Sequence, residues 1–274
     1  MRCEIRHITE YRYPKPAWDS FNEVRLYPAS GERQTVRSFH LLVEPEAEVY
    51  THRDYFGALV HHVHVHAPHT FLKLQAEAIV DTHAVPDPGP VPFSALREVS
   101  GVDREFLTFT ARVPAGDWPE VFGVKRPAPG DDLPTFLMDL TTHLRQRFTY
   151  SPGATAVNTP LAEFATHGRG VCQDFTHAML AITRRLGIPA RYVSGYLYSG
   201  GELRGAEATH AWVECLVPGV GWVGYDPTND CLARERHVKI THGREYTDVS
   251  PVRGTYYGGG RGELDVDVRV YAEQ

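Results

Sequence analysis

Residues 3–13, CEIRHITEYRY, put Ile5, His7, Thr9 and Tyr11 on one side of an extended chain and Glu4, Arg6, Ile8 and Glu10 on the other. A period of two predicts a half-buried strand. VRSFHLLVEP, ALVHHVHVHAPH and LKLQAEAIVDT continue the pattern in short runs separated by turns, so the first part of the chain reads as β. HAVPDPGPVPF then carries four prolines. Such a run is too rigid and too poor in donors for a ladder, and predicts a loop or linker. A short helix is expected around DREFLTFTARV, and RPAPGDD marks a second loop.

Beyond this loop the period changes. PTFLMDLTTHLRQRF spaces Phe136, Leu137, Leu140, Leu144 and Phe148 along one helix face, with Pro134 near the first turn. TPLAEFATHG predicts a short helix with Thr159 as N-cap, Pro160 as first helical residue and Gly168 as stop. VCQDFTHAMLAITRRLGIP predicts a longer one. Its stripe is Phe175, Met179, Ile182 and Leu186; Arg184 and Arg185 suit the last turn, and Gly187 with Pro189 ends it. ARYVSGYLY, THAWVECLV and GWVGYDP follow as strands, and the C-terminal GELDVDVRVYAEQ alternates as an edge strand. The expected class is α+β: a β-rich domain over residues 1–128, then a mixed core over 129–274 that includes the C-terminal strand.

Composition narrows the partners rather than the fold. The 274 residues are 42% hydrophobic and 23% charged, enough for a sizeable core. With 28 Lys+Arg against 34 Asp+Glu, the net charge of −6 recruits neither phosphate backbones nor anionic lipid. No nucleic-acid or membrane partner is expected. No apolar run approaches a membrane span, and MRCEIRHITEYRYP lacks the apolar core of a signal peptide, so the expected location is the cytoplasm. Cys3, Cys172, Cys215 and Cys231 are scattered without a CxxC pair, which signals neither a disulfide framework nor a thiolate zinc site.

The chemistry concentrates in GRGVCQDFTHAM. Cys172 falls in the first turn of the long predicted helix, where unpaired N–H groups and the positive end of the macrodipole favour a thiolate, and this stretch alone fits a buried structural cysteine at a helix start equally well. Gly168 and Gly170 let the chain turn tightly and leave the sulfur approachable. A nucleophilic thiol needs a base, and the base needs an orienting group. His210 opens the strand HAWVECLV and Asp226 closes GWVGYD. On the first of these His210, Trp212, Glu214 and Leu216 share one face; Cys215 lies on the other and reads as a core thiol. If residues 217–221 form the turn, Leu216 pairs with Trp222 and Asp226 falls on the face of His210, one diagonal step away. A turn of the other parity sends Asp226 to the wrong side.

GVCQDFTHAM, GIPARYVSGYLY, HAWVE and YDPTND resemble, in motif, order and separation, the core of the transglutaminase-like superfamily, relatives of the papain-like cysteine peptidases. The resemblance covers roughly residues 130–235, and the β-rich amino-terminal part resembles the domain that precedes this core in bacterial members. It implies a papain-like, transglutaminase-like core in which a nucleophile helix packs on an antiparallel sheet. It also implies Cys172 as nucleophile, His210 as general base and acid, and Asp226 as orienting carboxylate. The chain is too short for the extra β domains of animal transglutaminases and shows no EF-hand-like loop, so neither calcium nor any other cofactor is implied.

The expected function is acyl transfer on peptide or glutamine-type amides through a thioester, with a peptide or protein as substrate. No dedicated amine site is visible, which favours hydrolysis over amine transfer. A catalytically retired scaffold, its β domain docking a partner, is the alternative, and a zinc site from Cys172, His210 and Asp226 is a third arrangement of suitable ligand types. Gln173 is a candidate oxyanion donor or loop anchor, Tyr150 a candidate cleft hydroxyl, and Trp212 a shield for the imidazole. Asp174 suits helix capping as well as catalysis. Tyr192, Ser194, Tyr196 and Tyr198 suit either an acceptor groove or packing, and His177 reads as structural. In the tract His61–His69, residues two apart on a strand are nearly 7 Å apart, too far for His62, His64 and His66 to share one ion easily. A half-solvated strand face is the better reading. Oligomeric state has no signal in the sequence.

Overall fold

The structure, a computed structural model, describes residues 1–98, 101–201, 203–206 and 208–273. In chain order the strands β1 (Arg2–Val24), β2 (Gln34–Glu44), β3 (Glu48–Arg53), β4 (Leu59–Val65) and β5 (His69–Thr82) come first. The mixed part follows: α1 (Trp118–Val121), α2 (Leu133–Arg147), β6 (Thr149–Tyr150), α3 (Leu161–His167), β7 (Arg169–Gly170), α4 (Cys172–Arg185), β8 (Ala190–Leu197), β9 (His210–Val217), β10 (Gly221–Asp226), β11 (Cys231–Leu232) and β12 (His237–Gly243). The chain ends with α5 (Tyr246–Val249), β13 (Val252–Gly258) and β14 (Glu263–Glu273).

The first sheet has the order β2-β5-β1-β4-β3, with β13 and β14 also paired to β1. At 23 residues, β1 is long enough to change partners along its length. Arg2–Arg12 pair with β5 and β14, and Ala17–Val24 with β13, β4 joining from Ser20. Pro14 and Pro16 lie in the stretch between the two sets of partners, where a missing N–H interrupts no ladder. Cys3, Ile5, His7 and Thr9 are buried, the face set by their alternation.

Two expectations change here. The C-terminal strand, expected within the 129–274 core, pairs with β1 of the first sheet over Arg2–Arg12 and forms an edge there. Its last predicted residue, Gln274, lies outside the described residues. Alternation marks a strand but is blind to which open edge takes up its N–H and C=O groups. The segment DREFLTFTARV holds only a 3-10 helix, Val102–Leu107; beyond it Thr110 N–H turns back to the Val113 carbonyl.

The second sheet, β11-β10-β9-β8-β12, is antiparallel throughout. Phe175, Ala178, Met179 and Ile182 of α4 form one core with Ala211, Val213 and Cys215 of β9. Full burial of side chains such as Phe175 and Ile182 contributes roughly 1.5–3 kcal/mol each. A separate cluster of Cys3, Ile5, Val80, Tyr196, Val238, Ile240 and Val268 joins the two sheets. In α2, Asp132 is the N-cap and accepts from Thr135 N–H. In α3, Pro160 is the cap and Leu161 the first helical residue, one later than expected, because the Thr159 hydroxyl accepts from Ala156 N–H instead. Gly168 ends α3 at φ 70°, a left-handed turn that glycine adopts without strain. No helix among the described residues is long and apolar enough to cross a membrane. All four cysteines are free.

Candidate active site

Three local features deliver Cys172. Gly170 takes no special backbone angle; its role is closeness, since a Cβ there would lie 2.4 Å from Asp174 Oδ2 and 2.8 Å from the Phe164 ring. Arg169–Gly170 pair in parallel with Thr149–Tyr150, which fixes the approach to α4. Asp174 then accepts from Val171 N–H (2.8 Å) and from the Thr155 hydroxyl (2.6 Å). This is half of a capping box: Val171 has no side-chain acceptor to complete it. Burial pushes the Asp174 carboxyl up, against the pull of its donors. Cys172 itself is half-buried as the first residue of α4, and its N–H and that of Gln173 have no intrahelical acceptor.

The β9–β10 register has the expected parity, but the ladder runs one pair further: Val217 pairs with Gly221, so the connection is residues 218–220 rather than the five residues 217–221. Leu216 pairs with Trp222 and Val213 with Tyr225. His210 Nε2 and Asp226 Oδ2 are 2.8 Å apart, and both side chains are fully buried. Burial opposes the imidazolium, but the charge of Asp226, its hydrogen bond and contact with Cys172 outweigh it and raise His210 above the ordinary histidine range. Burial likewise opposes ionisation of Asp226; the charge of His210 and hydrogen bonds from His210 and His237 reverse it and hold the carboxyl well below the usual range. With Nε2 committed to Asp226, Nδ1 is the nitrogen left for the sulfur. No hydrogen bond closes on it among the described residues. Gly205, at φ 86°, packs over it, and a Cβ there would sit 2.8 Å from Nδ1 and 3.5 Å from the Tyr150 hydroxyl.

The remaining expected site residues divide. Tyr150 reaches this imidazole face through its hydroxyl. Trp212 is buried, lying 6.3 Å from the His210 ring at an interplanar angle of 27°. Gln173 donates its amide to the Val157 carbonyl at 2.9 Å, the contact expected of a loop anchor. Tyr192 and Tyr196 are packed into cores, Ser194 is buried beside them, and Tyr198 is half-buried. His177 is buried, accepts from Tyr246 N–H, and is held neutral by burial, which lowers it to about 3. Burial also pushes the Cys215 thiol far up, as suits a core residue.

Two residues escaped the sequence reading. His237 Nε2 lies 3.1 Å from Asp226 Oδ2, and its Nδ1 accepts from Arg234 N–H, which puts the proton on Nε2. Burial lowers its pKa against the pull of Asp226. Asn229 Nδ2 donates to the same Oδ2 at 2.8 Å, while Thr228 and Asn229 N–H groups donate to Oδ1. The Asx turn of Asp-Pro-Thr-Asn carries a local signal for the Asn229 contact; nothing local announces His237. His210, Asp226 and His237, not Cys172, form the cluster whose ligand atoms lie within 4.8 Å of one another. A cavity of about 570 Å³ opens between the two sheets behind Trp212 and His237, and neither Cys172 nor His210 lines it.

A helix-borne cysteine packed on an antiparallel sheet that carries histidine and aspartate defines a cysteine-dependent enzyme with a papain-like core. Residues 3–81 match the bacterial transglutaminase-like N-terminal region, and residues 127–227 match the transglutaminase-like superfamily. The chain belongs to the transglutaminase-like superfamily. An uncharacterised Mycobacterium leprae protein is 36% identical over 98% of both chains. A Pseudomonas aeruginosa protein-glutamine gamma-glutamyltransferase is 38% identical over 104 residues, which span 32% of this chain and 15% of that protein. The fold is shared with a Cytophaga hutchinsonii protein provisionally described as a cysteine protease. That likeness has a TM-score of 0.82 at 21% identity and covers 99% of this chain and 90% of that one.

Proposed function

We propose that the chain catalyses acyl transfer from peptide or glutamine-type amides through a thioester on Cys172, with His210 as acid and base and Asp226 as orienting carboxylate. One observation carries the reading: a buried imidazole, held by a carboxylate at 2.8 Å on Nε2, leaves its other nitrogen uncommitted and feels the charge of the half-buried Cys172. The sulfur adds to the carbonyl carbon, and the α4 N-terminus offers N–H groups to the oxyanion. His210 gives its Nδ1 proton to the departing nitrogen, and the amine or ammonia leaves. Water then adds to the thioester as His210 takes its proton, releasing the acid and the thiol; a primary amine in place of water forms a new amide. Hydrolysis is the favoured outcome, since Tyr192, Ser194 and Tyr196 of the candidate acceptor face are buried and only Tyr198 is partly exposed.

The test is mass spectrometry of peptides, glutamine peptides included, incubated with the protein and a labelled primary amine. Cleavage, deamidation and amine incorporation leave distinct masses. All three should vanish in Cys172→Ala. Turnover retained by that variant rejects the mechanism; a Cys172 that neither turns over nor reacts with iodoacetamide returns the chain to a scaffold role.

A further inference from the structure

The histidine tract on β4 has a use outside the acyl-transfer site. His64 and His66 share the outer face of the first sheet, and an aspartate from the neighbouring strand lies beside them. Phe21 of β1 pairs with His64, and the Asp19 N–H donates to the His66 carbonyl, which sets Asp19 beside His66. Asp19 Oδ1 contacts His66 Nδ1 and lies 3.6 Å from His64 Nε2. The three donor atoms lie within 4.8 Å of one another. His62, the expected third member of the row, is not needed; a cross-strand neighbour is closer than a residue two further along the same strand.

Three further features single this cluster out. Asp19 has φ 44°, a left-handed backbone that costs a non-glycine residue energy. It sits where the β1–β13 register shifts between Trp18 and Phe21, a bulge that re-aims side chains. His64 Nε2 is buried with no hydrogen-bond partner among the described residues, although its ring is fixed by Phe21 stacked 4.1 Å away. A buried ring nitrogen without a hydrogen-bond partner, beside a carboxylate aimed by a strained residue, can offer its lone pair to a cation.

We propose that Asp19, His64 and His66 bind a divalent transition-metal ion, Zn²⁺ in the first instance, which clamps β1 to β4. Two imidazoles and one carboxylate suit zinc and its first-row neighbours, whereas Mg²⁺ and Ca²⁺ require mostly oxygen ligands. Three protein ligands leave a coordination position for water on the solvent side, where His66 is exposed. The site stands apart from the cysteine chemistry, so neither proposal depends on the other.

The experiment is calorimetric titration of chelator-stripped full-length protein with Zn²⁺ in excess Mg²⁺ and Ca²⁺, followed by the visible spectrum of the Co²⁺-loaded form. The expected result is binding that Mg²⁺ and Ca²⁺ do not displace. Asp19→Asn, His64→Ala and His66→Ala should each weaken one equivalent about tenfold or more and erase its Co²⁺ bands, while His237→Phe retains it. Circular dichroism checks that the variants are folded, and His66, being exposed, tolerates truncation. Absence of Zn²⁺ binding overturns the assignment. So does binding that survives both Asp19→Asn and His66→Ala, or binding lost in His237→Phe, which would place the ion on the buried His210–Asp226–His237 cluster.

Discussion

Replacing Asp226 by asparagine separates the carboxylate's charge from its shape. Oδ2 accepts from His210 (2.8 Å), His237 (3.1 Å) and Asn229 (2.8 Å), and Oδ1 from the backbone of Thr228 (2.9 Å) and Asn229 (3.3 Å). Backbone N–H groups cannot change their role, so the new amide nitrogen must take the Oδ2 position and face three donors. His210 escapes by moving its proton to Nδ1, which leaves no base toward Cys172; the same tautomer error in a catalytic triad costs about 10⁴-fold in turnover. His237 has no such escape, because its Nδ1 is engaged by Arg234 N–H. Loss of the buried ion pair with an orphaned donor should cost about 3–5 kcal/mol. The pH dependence has a definite sign. The raised His210 contributes fully below about pH 6.5, and its share fades as pH rises toward its folded value; the depressed Asp226 contributes above about pH 4. The destabilisation is therefore largest between about pH 4 and 6.5 and shrinks on the alkaline side. Urea unfolding across pH measures the stability, and intact-mass kinetics of iodoacetamide at Cys172, expected to slow by about tenfold or more near neutral pH as the counter-ion is lost, measure the site. A loss below about 1 kcal/mol together with unchanged alkylation would refute the reasoning.

His237→Phe removes one donor from Asp226 and should cost about 1.5–3 kcal/mol in urea unfolding, with His237→Gln recovering part of it; equal losses in the two variants would show that the hydrogen bond is immaterial. Acid should destabilise the protein through His177 and His7, which burial holds neutral to about 3 and about 4. Their unfolded forms bind protons near pH 6.5, so stability falls as pH drops from there toward 3, by roughly 4 kcal/mol for His177 alone; His177→Leu should flatten that slope in pH-dependent unfolding. Gly170→Ala forces a methyl against Asp174 and Phe164 and should cost about 1–3 kcal/mol while slowing alkylation of Cys172.

Much of the chain's local order was legible before its folding. The alternation of Ile5, His7 and Thr9 gave their buried face, the apolar spacing from Leu137 to Leu144 gave α2, and an odd number of turn residues, three rather than the expected five, gave the register that brings Asp226 to His210. These depend on periods of two and 3.6 and on turn length, which neighbouring residues set among themselves. The short helix expected around DREFLTFTARV is there as a 3-10 turn over Val102–Leu107, and its hydrogen bonds do not continue through the later apolar residues.

What only the tertiary structure decided are the contacts between segments distant along the chain. His237 reaches Asp226 from a strand on the far side of β8, and β14 crosses back to β1 rather than staying with the core that precedes it. Asp19 meets His64 and His66 from the neighbouring strand, a ligand that the histidine row itself does not contain. Side-chain periodicity tells each residue which way to face. Which distant residue it then meets depends on how sheets close their open edges and bury their polar atoms, a balance struck by the whole chain at once.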